Sequence, residues 1–326
     1  MNPRLNPMFV TIAATIAVQV LMSVGITQAG PAPDKKVKQP GYTEFSNPEM
    51  VQILGYNDNE GNSNDAMEPF ISRDGNYLFF NNSNSAPTTS LFWATRIDDV
   101  TFQYQGEIGG EVNSSGPLDA VPSMDMNGNF YFITNRSYAV DLSTIYSGPF
   151  ADVTDVASVT PVNPVAGVAA PKIGLVNFDS EISADGNTLY FTRGNYSNLA
   201  PGAPPSSTEM MVATNQGGTF VIDPHSAKIM KMINDEHLNY APDTSADELE
   251  FFFTRTIPKP PTPEFGIYMA TRSSTSKPFD KPKKIEAITG YAEGPSISPD
   301  NLSLYYHWKN ASGVFVINRV TRTLKP

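Results

Sequence analysis

Six acids recur at similar places along this chain: Glu68, Asp119, Asp179, Glu181, Asp243 and Glu293. Each stands near the start of an apolar run that ends in an Asp- or Asn-type turn. Carboxylates repeated in this way and brought together could do three kinds of chemistry. They could hold a cation such as calcium through oxygen ligands. Two of them could serve as acid and base on a glycosidic bond, where carboxyl separation sets the outcome. Or they could pair with Arg136, Arg193 and Arg255, which close the aromatic runs that follow. Such pairs between neighbouring units would hold the fold together. The acids keep no fixed register against the neighbouring proline, which favours the structural pairing.

The last unit departs from the others. It carries His307-Trp308 where earlier units end in Asn82, Asn135, Arg193 or Arg255, with Tyr240 and Tyr291 in adjoining loops. Aromatic rings beside carboxylates suit stacking on a sugar ring or a peptide side chain. The competing reading is that Trp308 fills a seam between units. Other chemistries find no support. The three histidines, His225, His237 and His307, match no zinc spacing. There is no cysteine and no G-x-S-x-G nucleophile elbow. The string NDNEGNSND (57–65) places its glycine wrongly for an EF-hand. No catalytic residue and no metal site are assigned.

What positions these residues is a repeat. The copies read EPFISRDGNYLFF from Glu68, VPSMDMNGNFYFI from Val121, DSEISADGNTLYF from Asp179, APDTSADELEFFF from Ala241 and GPSISPDNLSLYY from Gly294. Their turn residues Asp74, Asn127, Asp185, Asp247 and Asp300 lie 53, 58, 62 and 53 residues apart. A nearly fixed period marks one supersecondary unit used again and again. Each unit offers two strands about the turn, then a third such as SLFWATR (90–96) or GIYMATR (266–272), and a fourth such as TFQYQGEI (101–108). Aromatic and β-branched runs between Gly, Pro and Asn breaks are strand signatures, and no stretch keeps a helical period.

Four antiparallel strands per unit, repeated about an axis, make an all-β fold, the β-propeller. Roughly 285 residues over five units give about 57 per blade, against the usual ~40–50 per repeat. Five blades are expected, with six as the alternative. The segment EMVQILG (49–55) precedes the first unit and should supply the outer strand of the last blade, closing the ring without an exposed edge. The tight Asp-Gly turns define one face. The loops entering the first strand and leaving the second gather on the other, among them 83–90, 194–207 and 256–265. Long loops on a rigid ring usually carry binding.

The Ser-x-Asp turns (Ser72/Asp74, Ser183/Asp185, Ser245/Asp247, Ser298/Asp300) and the Leu/Phe/Tyr strands behind them resemble the TolB-type, WD-like propeller repeats of bacterial exported proteins. The second copy departs, with Asp125 and Asn127 in those places. The resemblance spans 42–326 and implies a propeller; it implies almost nothing about function, which must come from a site.

The N-terminus reads as an export signal over 1–29: Arg4, an apolar run from Phe9 to Val24, then the small residues Thr27 and Ala29. A retained anchor is the alternative. Residues 30–41, rich in Pro and Lys, read as a flexible linker. Without cysteine there is neither lipid anchoring nor disulfide stapling. Loss of the leader takes the net charge from −11 to −12, a surface that disfavours nucleic acid and anionic membranes. The expectation is a periplasmic or secreted binding module for a protein or glycan, of undefined oligomeric state. Polar contacts would come from Glu68, Asp179 and Glu293, donors from Arg193 and Arg255, and stacking from Trp308. A glycan-active enzyme using two of the acids, and an architectural envelope component, are the alternatives.

Overall fold

The computed structural model describes residues 41–326 apart from 62, 85–88, 114–117, 154–155, 201 and 260. The expected leader (1–29) and the linker up to residue 40 lie outside the described residues. The five repeats form five sheets. Their innermost strands are Met67–Ile71, Asp119–Met124, Leu175–Ile182, Leu238–Thr244 and Ala292–Ile297. Each packs on the next and the fifth packs on the first, so the ring closes. This is the five-bladed propeller that the repeat period predicts.

The second strands, Tyr77–Asn81, Asn129–Thr134, Thr188–Asn195, Glu250–Ile257 and Ser303–Lys309, are almost wholly buried. Their aromatic residues fill the seams between blades. Phe79 and Trp93 of the first blade, for example, pack with Phe130 and Phe132 of the second. Residues on both faces of such a strand meet a neighbouring blade, which explains the runs of unbroken apolar sequence.

Two details differ from expectation. Residues 49–55 are not one outer strand. Ser46–Met50 pairs antiparallel with Phe315–Thr321 of the last blade, and Gln52–Leu54 pairs parallel with Thr101–Glu107 of the first. Val51 turns the corner, with its N–H donated to Ile317 O at 2.8 Å, and with Ile53 it fills the seam beside Tyr305 and Ile317. Apolar side chains that would stand exposed on a simple edge strand are buried by this split. The blades are also not uniformly four-stranded: the first has this fifth strand, and the second gains Gly109–Gly110 beside Val156–Val159 and Asn163–Pro164 beside Ile145–Val153.

The repeated turns share one mechanism. Ser72, Ser183, Ser245 and Ser298 each donate Oγ–H to the aspartate two residues on, at 2.5–2.7 Å. The same oxygens accept backbone N–H groups across the turn, as from Tyr77 at 2.9 Å and Glu250 at 2.9 Å. In the second copy Asp125 replaces the pair. Its Oδ1 accepts the N–H of Asn127 and of Asn129 at 2.8 and 2.9 Å. In the 57–65 string Asp58 accepts the N–H groups of Gly55 and Glu60, so this aspartate shapes a turn.

Candidate functional site

Every inner strand slips out of register once along its length, at Glu68, Val121, Asp179, Ala241 and Gly294. These five residues have φ of 48, 54, 48, 50 and 63°. A left-handed step costs a non-glycine residue about 1–2 kcal/mol, so something must hold it. Proline follows in four blades (Pro69, Pro122, Pro242, Pro295) and Ser180 in the third. Proline has no N–H to lose where the ladder breaks. The N–H of the stepped residue is caught by a side chain of the preceding blade in four cases. Glu68 donates to His307 Nδ1 at 3.1 Å and Val121 to Asn81 Oδ1 at 3.1 Å. Ala241 donates to Asp179 Oδ2 at 3.0 Å and Gly294 to Thr254 Oγ1 at 3.0 Å. The steps therefore stitch each blade to its neighbour. Together with the residues that follow them they narrow the axis to a void of about 20 Å³, dividing the channel into two halves.

The half below, toward the Asp-Gly turns, is closed by an ion pair. Arg73 reaches from the first blade to Glu181 of the third, and its guanidinium also donates to Ile182 O at 2.8 Å and Thr244 O at 3.2 Å. Glu181 accepts from Ser123 Oγ at 2.7 Å, and Asp243 accepts the N–H of Ile297 at 3.1 Å. Burial drives both carboxyls up. Arg73, Ser123 and the Thr244 N–H oppose it at Glu181 without reversing it, while Glu181 raises Asp243 further. One guanidinium serves two acids here.

The half above, toward the long loops, is a cavity of about 280 Å³. Glu68, Asp179 and Glu293 line it from the first, third and fifth blades, with Tyr196, Tyr240, Asn84 and the apolar walls Ile133, Val176 and Phe178. No lysine or arginine is among the described residues that line it. Glu293 is the best supported of the acids. Tyr240 donates to one of its oxygens and His307 Nε2 lies 3.3 Å from the other, with a further hydrogen bond from Tyr291. Burial pushes the Glu293 carboxyl up, but these donors prevail and hold it below the ordinary glutamate range. Asp179 behaves oppositely. Burial first, then the charges of Glu68 and Glu293, push it well above the aspartate range, and the Ala241 N–H offsets this only in part. Glu68 is also raised by burial, despite His307 and an Asn84 amide at 2.9 Å.

His307 lies between Glu68 and Glu293 and is fully buried. Burial opposes a charge on its ring, and the two carboxylates overcome this and raise its pKa. The Glu68 N–H needs the Nδ1 lone pair, so this geometry carries the proton on Nε2, aimed at Glu293. Protonation would break the stitch between the last blade and the first.

Of the acids singled out in sequence, three meet in the cavity, Glu68, Asp179 and Glu293, and Tyr240 joins them there. Glu181 and Asp243 lie below the narrowing, and the N–H groups they accept from the following blade make them structural. Asp119 is fully buried against Arg136 at 2.9 Å, both in the second blade. Arg193 binds Asn177 Oδ1 at 2.9 Å, and Arg255 binds Asn239 Oδ1 and Asp235 Oδ2, each at 2.8 Å. None of the three arginines joins blades, contrary to expectation; Arg73–Glu181 and the buried Arg322–Glu250 do. Trp308 corrects the stacking expectation. Its indole donates to Thr289 O at 3.0 Å and packs on the core of the fourth and fifth blades, filling a seam. Sequence reasoning passed over Asn84, Tyr196 and Arg73. Only Arg73 left a signal, as the one charged residue at the middle of the five turn motifs. The one described group of three whose ligand atoms lie within 4.8 Å of one another is Asp235, Glu236 and His237. The channel-mouth acids do not reach that spacing.

No protein-family model and no curated protein sequence matches the chain. Solved structures share the fold. A BT0996 RGII complex aligns with a TM-score of 0.54 at 10% identity, over 88% of this chain and 92% of that one. Zg3597, a family 117 glycoside hydrolase of the marine bacterium Zobellia galactanivorans, gives 0.51 at 11% identity, over 86% and 90%. At these identities the likeness establishes the ring and leaves the chemistry to the site.

Proposed function

We propose that the cavity on the loop-rich face binds a carbohydrate, in a protein exported by its N-terminal leader. The observation that carries this is the convergence of Glu68, Asp179 and Glu293 from three separate blades with two tyrosines, around one space whose described lining has no lysine or arginine. A carboxylate held ionised at Glu293 beside two carboxyls that burial raises offers acceptors and donors to a ligand rich in hydroxyls, and the aromatic and aliphatic walls suit the C–H faces of a sugar. A cavity near 280 Å³ has room for a single sugar unit at the end of a chain. Resemblance to a ring named as a glycoside hydrolase agrees with this reading, and the acids carry it.

A second reading has one observation in its favour. The environments of Asp179 and Glu293 drive their proton affinities apart, the pattern that separates acid from base in hydrolytic sites. Asp179 would then protonate a leaving oxygen while Glu293 acts as the ionised partner. The test is a screen of neutral and acidic oligosaccharides for binding and turnover, repeated with Asp179→Asn and Glu293→Gln. Binding without turnover supports a recognition module. Turnover lost in both variants with binding kept supports the enzyme. An absence of any carbohydrate binding overturns both.

A further inference from the structure

Beside the acid cavity lies a larger groove, of about 690 Å³, that the reading above leaves unused. Its walls are the loop leaving the second strand of the fourth blade and the loop that leads into the fifth. Phe265 and Tyr291 form its aromatic side, their rings 4.0 Å apart between centroids at 42°. Tyr291 also hydrogen-bonds Glu293, so a residue lining the groove touches one of the acids lining the cavity. The groove is basic in an acidic protein. Lys284 Nζ lies 3.2 Å from Glu264 Oε1 and Lys259 Nζ 3.8 Å from Glu264 Oε2. Two ammonium groups face one carboxylate, in a chain whose net charge is −11.

Gly266 leaves open the space that the end of the Lys284 side chain occupies. This glycine sits inside the strand Glu264–Thr271, where glycine weakens a sheet. A Cβ there would meet Lys284 Cε at 3.0 Å and Nζ at 3.6 Å. The missing side chain is what lets the lysine stem lie across the strand toward the groove.

Resting on the carbohydrate reading, we propose that this groove is a second sugar position that selects a unit bearing an anionic group, a carboxylate or a sulfate ester. Phe265 and Tyr291 take the ring face, and Lys284 with Lys259 takes the anion in place of part of their contact with Glu264. The neighbouring unit of the same chain then reaches Glu293 past Tyr291.

Calorimetric titration of the protein with oligogalacturonates, their methyl esters, and sulfated and unsulfated oligosaccharides of matched backbone tests this. The anionic member of a pair should bind about tenfold more tightly than its neutral twin. Lys284→Ala, and more completely Lys284→Ala with Lys259→Ala, should remove that preference by bringing the anionic member's affinity down to that of its neutral twin, while Glu264→Gln should enlarge it. The uronate and sulfate arms decide which anion is taken. Equal binding of anionic and neutral twins overturns the groove assignment while the carbohydrate reading stands. So does a preference that survives loss of both lysines. If no carbohydrate binds at all, the reading beneath it fails first.

Discussion

Arg73→Met is the substitution whose effect the structure fixes most closely. It deletes the guanidinium that spans the channel from the first blade to Glu181, along with its hydrogen bonds to Ile182 O and Thr244 O. Breaking one partner of a buried pair costs about 3–5 kcal/mol because the other charge stays uncompensated. At about 2.1 cal/mol/K of unfolding entropy per residue, a ring of about 286 residues melts roughly 1.7 °C lower per kcal/mol. The expected fall in Tm is therefore about 5–8 °C at neutral pH. The sign with pH follows from the acids. Glu181 and Asp243 already bind protons more tightly folded than unfolded, because burial raises them. Their contribution is complete at low pH and is lost as pH rises through the raised values. Without Arg73 that loss deepens, so the deficit should be small in acid and grow toward alkaline pH. Adding Glu181→Gln to Arg73→Met should restore more than half of it. Differential scanning calorimetry at several pH values reads all of this. A deficit independent of pH, or one that Glu181→Gln leaves untouched, would refute the account of a charge plug.

Asp179→Asn should raise Tm at neutral pH by the equivalent of ~0.5–2 kcal/mol and do nothing in acid, because the penalty of a raised pKa builds up only as pH rises above the ordinary aspartate value, where the unfolded chain ionises first. Glu293→Gln should do the reverse. Its lowered pKa marks stability present above the ordinary glutamate range and lost as pH falls, so removal costs about 1–3 kcal/mol at neutral pH and less in acid; melts at both pH values check the pair. Gly294→Ala would put a Cβ 2.5 Å from Glu68 Oε2 and 3.1 Å from His307 Nδ1 in a left-handed conformation. It should destabilise by about 1–3 kcal/mol and weaken carbohydrate binding by displacing Glu68, both measurable by urea melts and titration. Asp125→Ala orphans the N–H groups of Asn127 and Asn129 and should cost about 1–3 kcal/mol. Ser183→Ala should cost less in the same urea assay, because Asp185 stays to accept the Asn187 N–H.

The ring was legible because its signals are local and repeated: a Ser-x-Asp turn binds its own backbone, so it reads the same in every copy. The three acids of the cavity were legible as candidates for the same reason, each standing on an inner strand. What sequence could not separate was Asp179 from Glu181, two residues apart and on opposite sides of the narrowing. The left-handed step at Asp179 itself breaks the alternation of side chains, and outside glycine it leaves no mark beyond a following proline, which the third blade lacks. The fates of Arg136, Arg193 and Arg255 were hidden because their partners include neutral side chains, Asn177 and Asn239, as well as acids. Trp308 misled because its surroundings depend on where the seam between two blades falls, which no single blade's sequence specifies.

The N-terminal clasp sets an order of events in the making of this molecule. Ser46 meets Thr321 across 275 residues of chain, so a polypeptide emerging from its N-terminus holds one half of the joint long before the other exists. Blades rich in local pairing can form as they appear, whereas the join waits for nearly the whole length. Until then Val51 and Ile53 lack Tyr305 and Ile317, their companions in the seam, and the first blade presents an unguarded flank. A nascent chain is thus kept open until its final strand arrives, and synthesis halted short of Phe315 leaves a ring that has nothing to lock against.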